Sequence, residues 1–414
     1  MHDDTARAIL RGNDRTTDGG AYTVPTDMLY PFQWNWDSAF AAWGFSTFDT
    51  DRAWRELETL FAAQWADGMV PHMVFHDAAP GYFPGPDVWG AGGEVPTSGI
   101  SQPPVAATMA RLVWEADPEA GRTRMAALYP KLLAWHRWWM ETRCGSGAVA
   151  VCHPWESGRD NCPDWDVGLA GVDGSGAGDY ARRDEAQVDG AQRPTKQEYD
   201  RYLALVRFGR DCGWDQATIV ADCPFYMADP GMTFILIRAH DDLAAMGRSL
   251  GQDVTELEGW AAALRDGVDS LWNPELGAWD AKDLRSGAWA GIVGSGALLC
   301  WLAGCERPEM EAHLARMWDA VTYGLPSSDP EAPSFERKRY WRGPVWPQMN
   351  ALIALGFLRA GRDWDEARGP GDRDTFVAEG LRTYDHSLRR KLILGVYLLP
   401  LCLIGLIVYL TNFH

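Results

Sequence analysis

The sequence lacks several patterns that assign proteins to common functional classes. Its 414 residues contain no Gly-rich phosphate motif and no internal repeat, and none of the eight cysteines forms a Cys-x-x-Cys pair or a zinc-binding spacing. Positive charge is scarce, because 38 Lys and Arg residues stand against 57 Asp and Glu residues and leave a net charge of −19. These patterns argue against a metal site, a cofactor and a nucleic-acid partner, although solubility alone also explains an acidic surface.

The two ends of the chain differ in hydrophobicity. The N-terminal stretch MHDDTARAILRGNDR is polar and has no apolar core like that of a signal peptide, so we predict a cytoplasmic protein with reduced cysteines. Residues 392–410 form an uncharged apolar run behind Arg389, Arg390 and Lys391. As a helix this run spans about 28 Å, close to the thickness of a bilayer core, so it is a candidate anchor to the cytoplasmic face of a membrane. A buried core helix is the alternative.

Helical periodicity dominates the rest of the chain. The stretch DTDRAWRELETLFAAQW repeats apolar residues on one helical face, and Thr195 with Glu198 forms a capping box before another helix. Clear alternating strands are few. The connections are alternately short and long, which predicts an all-α fold of stacked helical hairpins. The long connections, which concentrate Trp, Pro, Gly and acidic residues on one functional face, are residues 20–40, 70–103, 150–194 and 324–344.

Tryptophan is abundant, with 22 residues, and many of them lie in four loop motifs. The motifs are LYPFQWNWDSAFAAWG, TSGISQPPV, HPWESGRDNCPDWD and FERKRYWRGPVWPQMN. A sugar presents an apolar C–H face and a rim of hydroxyl groups, so its site needs aromatic platforms beside polar side chains. Any single motif fits a core Trp next to a capping carboxylate equally well. Four such motifs on the loops of a helical chain favour a sugar site.

Together these motifs resemble the bacterial branch of glycoside hydrolase family 63, which contains glucosylglycerate and mannosylglycerate hydrolases. The resemblance covers about residues 5–365. It implies an (α/α)6 barrel, a toroid of helical hairpins with its active site at one mouth. It also implies hydrolysis of a small α-glucosyl or α-mannosyl compound with inversion at the anomeric carbon. The choice between the two sugars and the oligomeric state stay open.

The resemblance implies that Asp160, in the Ser-Gly-x-Asp-Asn motif, is the general acid. An inverting glycosidase needs one protonated carboxyl group on the leaving oxygen, and burial or a neighbouring carboxylate keeps such a group protonated. The residues expected to bind the sugar are Tyr30, Trp34, Trp36, Asp37, Gln102, Tyr340, Trp341 and Trp346. His76, Trp155 and Arg159 are further candidates, with the reservation that a His in an apolar run is more often a core residue.

One part of the family pattern has no counterpart in this sequence. The water-activating Glu of the family lies after the YWRGPVW motif, in a segment resembling Asn/Tyr-x-Pro-x-Thr-Gly-Glu, and no such segment follows Trp346. We therefore leave the base unassigned. Turnover is predicted to be low or absent, because general-base assistance is worth about 10²–10⁴ in rate. A catalytically impaired carbohydrate-binding or membrane-tethered protein is the alternative function.

The absence of the Glu segment also leads us to predict that the chain has two parts. Residues 1–385 would form the glycosidase-like domain, incomplete at its C-terminus because the closing helix is missing. Residues 389–414 would form an apolar tail. Three interpretations of this tail stay open: a membrane anchor, a helix packed into the gap of the barrel, and a segment acquired by fusion.

Overall fold

Helices make up most of the chain in the computed structural model, which describes residues 2–26, 29–321 and 324–361. The α-helices are α1 (His2–Gly12), α2 (Asn35–Phe45), α3 (Thr50–Ala62), α4 (Pro86–Trp89), α5 (Ala106–Ala116), α6 (Pro118–Arg143), α7 (Asp166–Leu169), α8 (Arg183–Gln187), α9 (Lys196–Asp211), α10 (Gln216–Asp222), α11 (Pro230–Leu250), α12 (Thr255–Val268), α13 (Cys300–Ala303), α14 (Pro308–Asp319) and α15 (Pro347–Arg359). The prediction of an all-α fold is confirmed.

The strands are short and lie between the helices. They are β1 (Asp14–Thr17), β2 (Gly20–Thr23), β3 (Gln33–Trp34), β4 (Met73–Val74), β5 (Ala91–Gly92), β6 (Pro96–Thr97), β7 (Ala150–Val151), β8 (Met227–Ala228), β9 (Trp272–Asn273), β10 (Ala278–Trp279) and β11 (Lys282–Asp283). The largest sheet has the order β3-β4-β6-β5, with Trp34 opposite Met73. This pairing joins the first loop motif to the loop of residues 70–103.

Local sequence signals mark where several helices begin. The Asp49 side chain accepts a hydrogen bond from the Arg52 backbone and caps α3. The predicted capping box of Thr195 and Glu198 is confirmed at the start of α9. Asp229 caps α11, whose first residue is Pro230. These caps determine where the preceding loops end, because each loop stops at the residue that caps the next helix.

The helices form two layers. In the inner layer, α2 packs on α5, α5 on α11, α11 on α13, and α13 on α15. In the outer layer, α3 packs on α2, α6 on α5, and α12 on α11. Nearly every residue of α2 and α15 is buried, as expected for helices covered on all sides. The hairpins therefore run alternately inward and outward, as in a helical toroid.

Tryptophan side chains fill the space between the layers. Trp135, Trp138 and Trp139 of α6 are fully buried, as are Trp43 and Trp54 from α2 and α3. Each such ring buries about 150–250 Å² of surface, so these residues contribute strongly to the core. Many of the tryptophans therefore pack in the core. This is the role that the alternative interpretation gives to the Trp residues of any single motif.

The predicted C-terminal features lie outside the described residues. These are the boundary near residue 385, the tail of residues 389–414 and the candidate anchor of residues 392–410. Among the residues that the structure describes, no helix combines the length and the apolar character needed to span a bilayer.

Candidate active site

The loop that carries Asp160 is shaped by a short 3-10 helix at Pro154–Ser157. It ends at Gly158, whose φ of +68° is a left-handed conformation that favours glycine. A Cβ atom on Gly158 would lie 2.7 Å from the ring of Trp36. Glycine is therefore required twice, for the turn and for the close approach, and this approach brings the Asp160 loop against the start of α2.

A buried ion pair between Arg143 and Glu156 also stabilises the loop that carries Asp160. The Glu156 carboxylate accepts hydrogen bonds from the Arg143 guanidinium at 3.1 Å and from the Cys152 backbone at 2.8 Å. Both charged side chains are fully buried, so each needs the other to offset its desolvation. On the neighbouring loop, the Oε1 atom of Gln102 accepts a hydrogen bond of 3.1 Å from the Trp36 backbone. These contacts join three of the four loop motifs at one mouth of the toroid.

A cavity with a volume of about 70 Å³ opens beside this loop. Asp160 lies in its wall together with Tyr30, Trp34 and Trp155. The other lining residues are Leu29, His72, Met73, Tyr82, Phe83, Pro84, Arg183, Asp184, Arg193 and Tyr199. The cavity therefore combines aromatic rings with both signs of charge.

Asp160 has the electrostatic surroundings of a proton donor. Burial raises the pKa of its carboxyl group to about 7, while the Arg193 cation and a hydrogen bond from Tyr340 act in the lowering direction. The Asp184 carboxylate acts in the raising direction. A pKa near neutrality keeps a large fraction of the group protonated and ready to transfer its proton.

Asp37, in the first turn of α2, is a second buried carboxyl group near Asp160. Burial raises the pKa of Asp37 to about 7, and the negative charge of Asp160 contributes in the same direction. The two carboxyl groups are therefore close enough for their charges to interact. At neutral pH this pair holds protons that an exposed pair of aspartates would have lost.

The fourth motif completes the aromatic wall. The rings of Trp341 and Trp346 stack with centroids 4.1 Å apart, and Trp341 lies 6.1 Å from Trp36. The Trp341 backbone donates a hydrogen bond of 3.0 Å to Asn161, the neighbour of Asp160. Tyr340 has a φ of +36°, an unusual conformation for a residue with a side chain, and hydrogen-bonds to Asp160. All four loop motifs therefore converge.

A family model described as the mannosylglycerate hydrolase MGH1-like glycoside hydrolase domain matches residues 30–391. The chain belongs to this family. The resemblance to glycoside hydrolase family 63 is thereby confirmed, and the converging loops form the candidate active site of a glycoside hydrolase.

Individual relatives support the assignment over most of the chain. A mannosylglycerate hydrolase from Thermus thermophilus is 43% identical over 388 residues, covering 91% of this chain and 92% of that protein. A glucosylglycerate hydrolase from Mycolicibacterium hassiacum is 34% identical over 390 residues, covering 87% and 86%. A crystal structure of a family 63 mannosylglycerate hydrolase from Thermus thermophilus, in complex with Tris and D-glycerate, has a TM-score of 0.84 at 41% identity, covering 89% of this chain and 90% of that chain. The predicted (α/α)6 fold is confirmed.

Eight of the residues predicted to bind the sugar are not part of the cavity lining: Trp36, Asp37, His76, Gln102, Arg159, Tyr340, Trp341 and Trp346. Arg159 is 2% exposed and lies between Asp164 and Asp229, with Nη–Oδ1 distances of 3.0 and 2.9 Å. It ties the Asp160 loop to the cap of α11. The Nε2 atom of His76 lies 2.7 Å from Gln33, outside the lining.

The cavity wall contains a different histidine, His72, which the sequence did not indicate. Its ring stacks on Trp155 with centroids 6.1 Å apart, and burial lowers its pKa to about 3. It is therefore a neutral hydrogen-bonding group at neutral pH. No local pattern in the sequence distinguishes His72 from His76.

Arg193 is the second important residue that sequence reasoning missed. Its Nε donates to Asp184 at 2.6 Å, its Nη2 donates to Tyr30 at 2.8 Å, and its guanidinium lies 3.9 Å from the ring centre of Tyr340. These hydrogen bonds use two of its five N–H groups. The local sequence around Arg193 has no motif, so only the folded loop places this cation beside Asp160.

Proposed function

We propose that this protein is an inverting glycosidase that hydrolyses a glycoside of glyceric acid, either mannosylglycerate or glucosylglycerate. The observation that carries the proposal is the presence of Asp160 and Arg193 in one aromatic cavity. An acid with a pKa near 7 suits glycosidic bond cleavage, and an arginine suits a substrate carboxylate. The named activities of relatives at 34–43% identity agree with this substrate class.

The sugar would occupy the aromatic end of the cavity. Trp34 and Trp155 line this end with aromatic surface that suits the C–H face of a hexose, and His72 contributes a neutral polar group for its hydroxyls. Asp37 lies close enough to Asp160 for their charges to interact, so it would bind hydroxyl groups around the anomeric carbon. This placement leaves the aglycone pointing toward Arg193.

The glycerate would occupy the charged end. The protein carries a net charge of −19, so an anionic ligand needs a local cation to overcome the general repulsion. Arg193 is held by Asp184 and Tyr30 and is therefore oriented before the ligand arrives. A guanidinium forms paired hydrogen bonds with a carboxylate, which fixes the orientation of the aglycone as well as binding it.

In the proposed reaction, protonated Asp160 donates its proton to the glycosidic oxygen as the bond from the anomeric carbon to that oxygen breaks. Water attacks the anomeric carbon from the opposite face, so the released sugar has the inverted configuration. Because this sequence has no counterpart of the family's Glu segment, we expect binding with low turnover.

The missing Glu segment also supports a second candidate function, a carbohydrate-binding protein without catalysis. Calorimetry with mannosylglycerate and glucosylglycerate, combined with an assay for free mannose and glucose, separates the two functions. Release of sugar in the inverted configuration supports the glycosidase. Heat of binding without any released sugar favours the binding protein, and the absence of both results contradicts both proposals.

The acid assignment has its own test. Asp160→Asn keeps the shape of the side chain but has no proton to donate, so we expect sugar release to fall by about 10²–10⁴ while ligand binding is retained. Asp173→Asn, in the exposed part of the following segment, is the matched control and should leave release unchanged. Measurable sugar release that is equal in the wild type and Asp160→Asn would refute the assignment.

A further inference from the structure

A chain of hydrogen bonds connects the cation of the cavity to its acid. The Nη2 atom of Arg193 donates to the Tyr30 hydroxyl at 2.8 Å. The Tyr30 hydroxyl is hydrogen-bonded to that of Tyr340, which is hydrogen-bonded to Asp160. The guanidinium also lies 3.9 Å from the centre of the Tyr340 ring. A change of charge at Arg193 therefore alters the electrostatic potential at Asp160 through a short, partly buried and polarisable chain of hydrogen bonds.

Several other groups act on Asp160 from the elements around it. Two are acidic: Asp184 on α8, and Asp37 on α2. Three are tyrosines, namely Tyr82 before α4, Tyr202 on α9 and Tyr340 before α15, whose ionisation is itself strongly disfavoured by burial. Among the groups around Asp160, Arg193 is the cation that favours the ionised carboxylate. Asp184, which accepts from Nε of Arg193 at 2.6 Å, also pairs with Arg182 at 2.7 Å, so one carboxylate is shared between two cations.

We propose that substrate binding promotes protonation of the catalytic acid. When the substrate carboxylate binds at Arg193, Asp160 takes up a proton. The inference rests on the proposed function, because it requires that the aglycone is an acid. The bound carboxylate cancels the positive charge that stabilises ionised Asp160, and the remaining neighbours, Asp184 and Asp37, disfavour ionisation. The proton comes from solvent and leaves with the glycosidic oxygen when the bond breaks.

This coupling would make the carboxylate of the aglycone a determinant of catalysis as well as of affinity. A glycoside with a neutral aglycone, such as glycerol, can fill the same cavity but leaves the charge of Arg193 uncompensated. Asp160 then stays ionised in a larger fraction of the complexes. Selectivity for acidic glycosides therefore extends beyond the hydrogen bonds that bind them.

Calorimetric titration with D-glycerate at pH 7, repeated in buffers of different ionisation enthalpy, measures the number of protons bound. We expect uptake of up to about half a proton per site, because a group with a pKa near 7 is about half ionised before binding. Tris is avoided because a solved relative holds it. Glycerol, the uncharged comparison ligand, should bind without uptake.

The variants assign the proton. Asp160→Asn should bind D-glycerate without uptake, whereas Asp37→Asn should retain uptake. A second readout uses the wild type alone: by linkage, its affinity for D-glycerate should fall as the pH rises from 6 to 9, and its affinity for glucose should fall less.

The two proposals fail separately. Binding of D-glycerate without proton uptake, or uptake that persists in Asp160→Asn and disappears in Asp37→Asn, overturns the coupling and leaves the proposed function standing. The absence of D-glycerate binding by the wild type overturns the proposed function and the coupling with it.

Discussion

At the scale of single residues, Arg193 is the proposed determinant of which ligands the cavity accepts. Replacing it by glutamine removes the cation but keeps a polar side chain, so we expect D-glycerate to bind about 10–100-fold more weakly, the usual loss for a hydrogen bond to a charged group. Affinity for glucose or mannose should stay within a few-fold. Calorimetry with each ligand measures both effects.

The matched control is Arg210→Gln, an exposed arginine at the other end of α9. It has the same change of charge and should leave both affinities unchanged. If Arg210→Gln weakens D-glycerate as much as Arg193→Gln does, the effect is one of net charge and Arg193 is not the carboxylate site.

Ionisation of the buried carboxyl group of Asp160 also lowers the free energy of unfolding. Its pKa is about 7 in the folded protein and near 3.8 when exposed, so between these values the folded state holds a proton that the unfolded chain has lost. Stability therefore falls as the pH rises from about 4 to about 7 and stays lower above 7. We expect Asp160→Asn, which cannot ionise, to be more stable than the wild type at pH 8.

Thermal unfolding of both proteins at pH 5 and pH 8 checks this expectation. The gain at pH 8 should be on the order of 1–4 kcal/mol, from about 1.4 kcal/mol for each pKa unit, and it should be smaller at pH 5. An Asp160→Asn protein that is less stable than the wild type at pH 8 would show that hydrogen bonds of the ionised carboxylate outweigh its burial.

Residue-scale prediction from the sequence succeeded where a residue belongs to a recognisable motif. Asp160, Tyr30, Trp34 and Trp155 all lie in the cavity wall as expected. Their catalytic and binding roles stay predictions. Arg193 was missed because its position depends on a loop of about 30 residues folding back over the cavity, and loops carry no periodic pattern from which such a path can be read.

At the scale of elements, the turn at Gly158 holds the Asp160 loop against α2. Gly158→Ala forces a Cβ atom to within 2.7 Å of Trp36 and strains a φ of +68°. We expect sugar release to fall about 10²-fold, because a displacement of about 1 Å in a catalytic group has that effect. The rate of release from mannosylglycerate or glucosylglycerate is the measurement.

Gly251→Ala separates the two causes. Gly251 has a φ of +74° at the end of α11, and a Cβ atom there meets no atom within 4 Å. This variant carries the same backbone strain without the steric contact, so it should lose some stability and keep its activity. Full activity in Gly158→Ala would contradict the requirement for close packing on Trp36.

Elements were predictable in proportion to their length. The sequence shows the apolar face of α3 and the capping box of α9, and the structure has both helices. Strands of two residues, such as β3 and β4, are too short to show any alternation. His72, which lies in the cavity wall, directly precedes β4.

At the scale of the whole molecule, the proposed inverting reaction needs a second carboxylate opposite Asp160, and the family places it after the last motif. A chimera in which residues 362–414 are replaced by the corresponding segment of the Thermus thermophilus relative tests whether that segment supplies the base. We expect sugar release to rise by about 10²–10⁴, and Asp160→Asn in the same chimera to remove the gain.

Two results would count against this view. A chimera that binds D-glycerate as tightly as the wild type but releases no more sugar would show that the base segment does not limit turnover. A gain that survives Asp160→Asn would place the acid elsewhere. The C-terminal segment itself lies outside the described residues, and its sequence departs from the pattern on which the other assignments rest.

The contacts of Arg159 and Arg193 separate the support of the proposed acid from that of the proposed carboxylate site. The ion pairs of Arg159 with Asp164 and Asp229 fasten the Asp160 loop to the start of α11. Arg193 lies instead in the segment of residues 182–195, where it is held by Asp184. We therefore expect substitutions in that segment to change which acidic aglycone the cavity accepts, while Asp160 keeps its position.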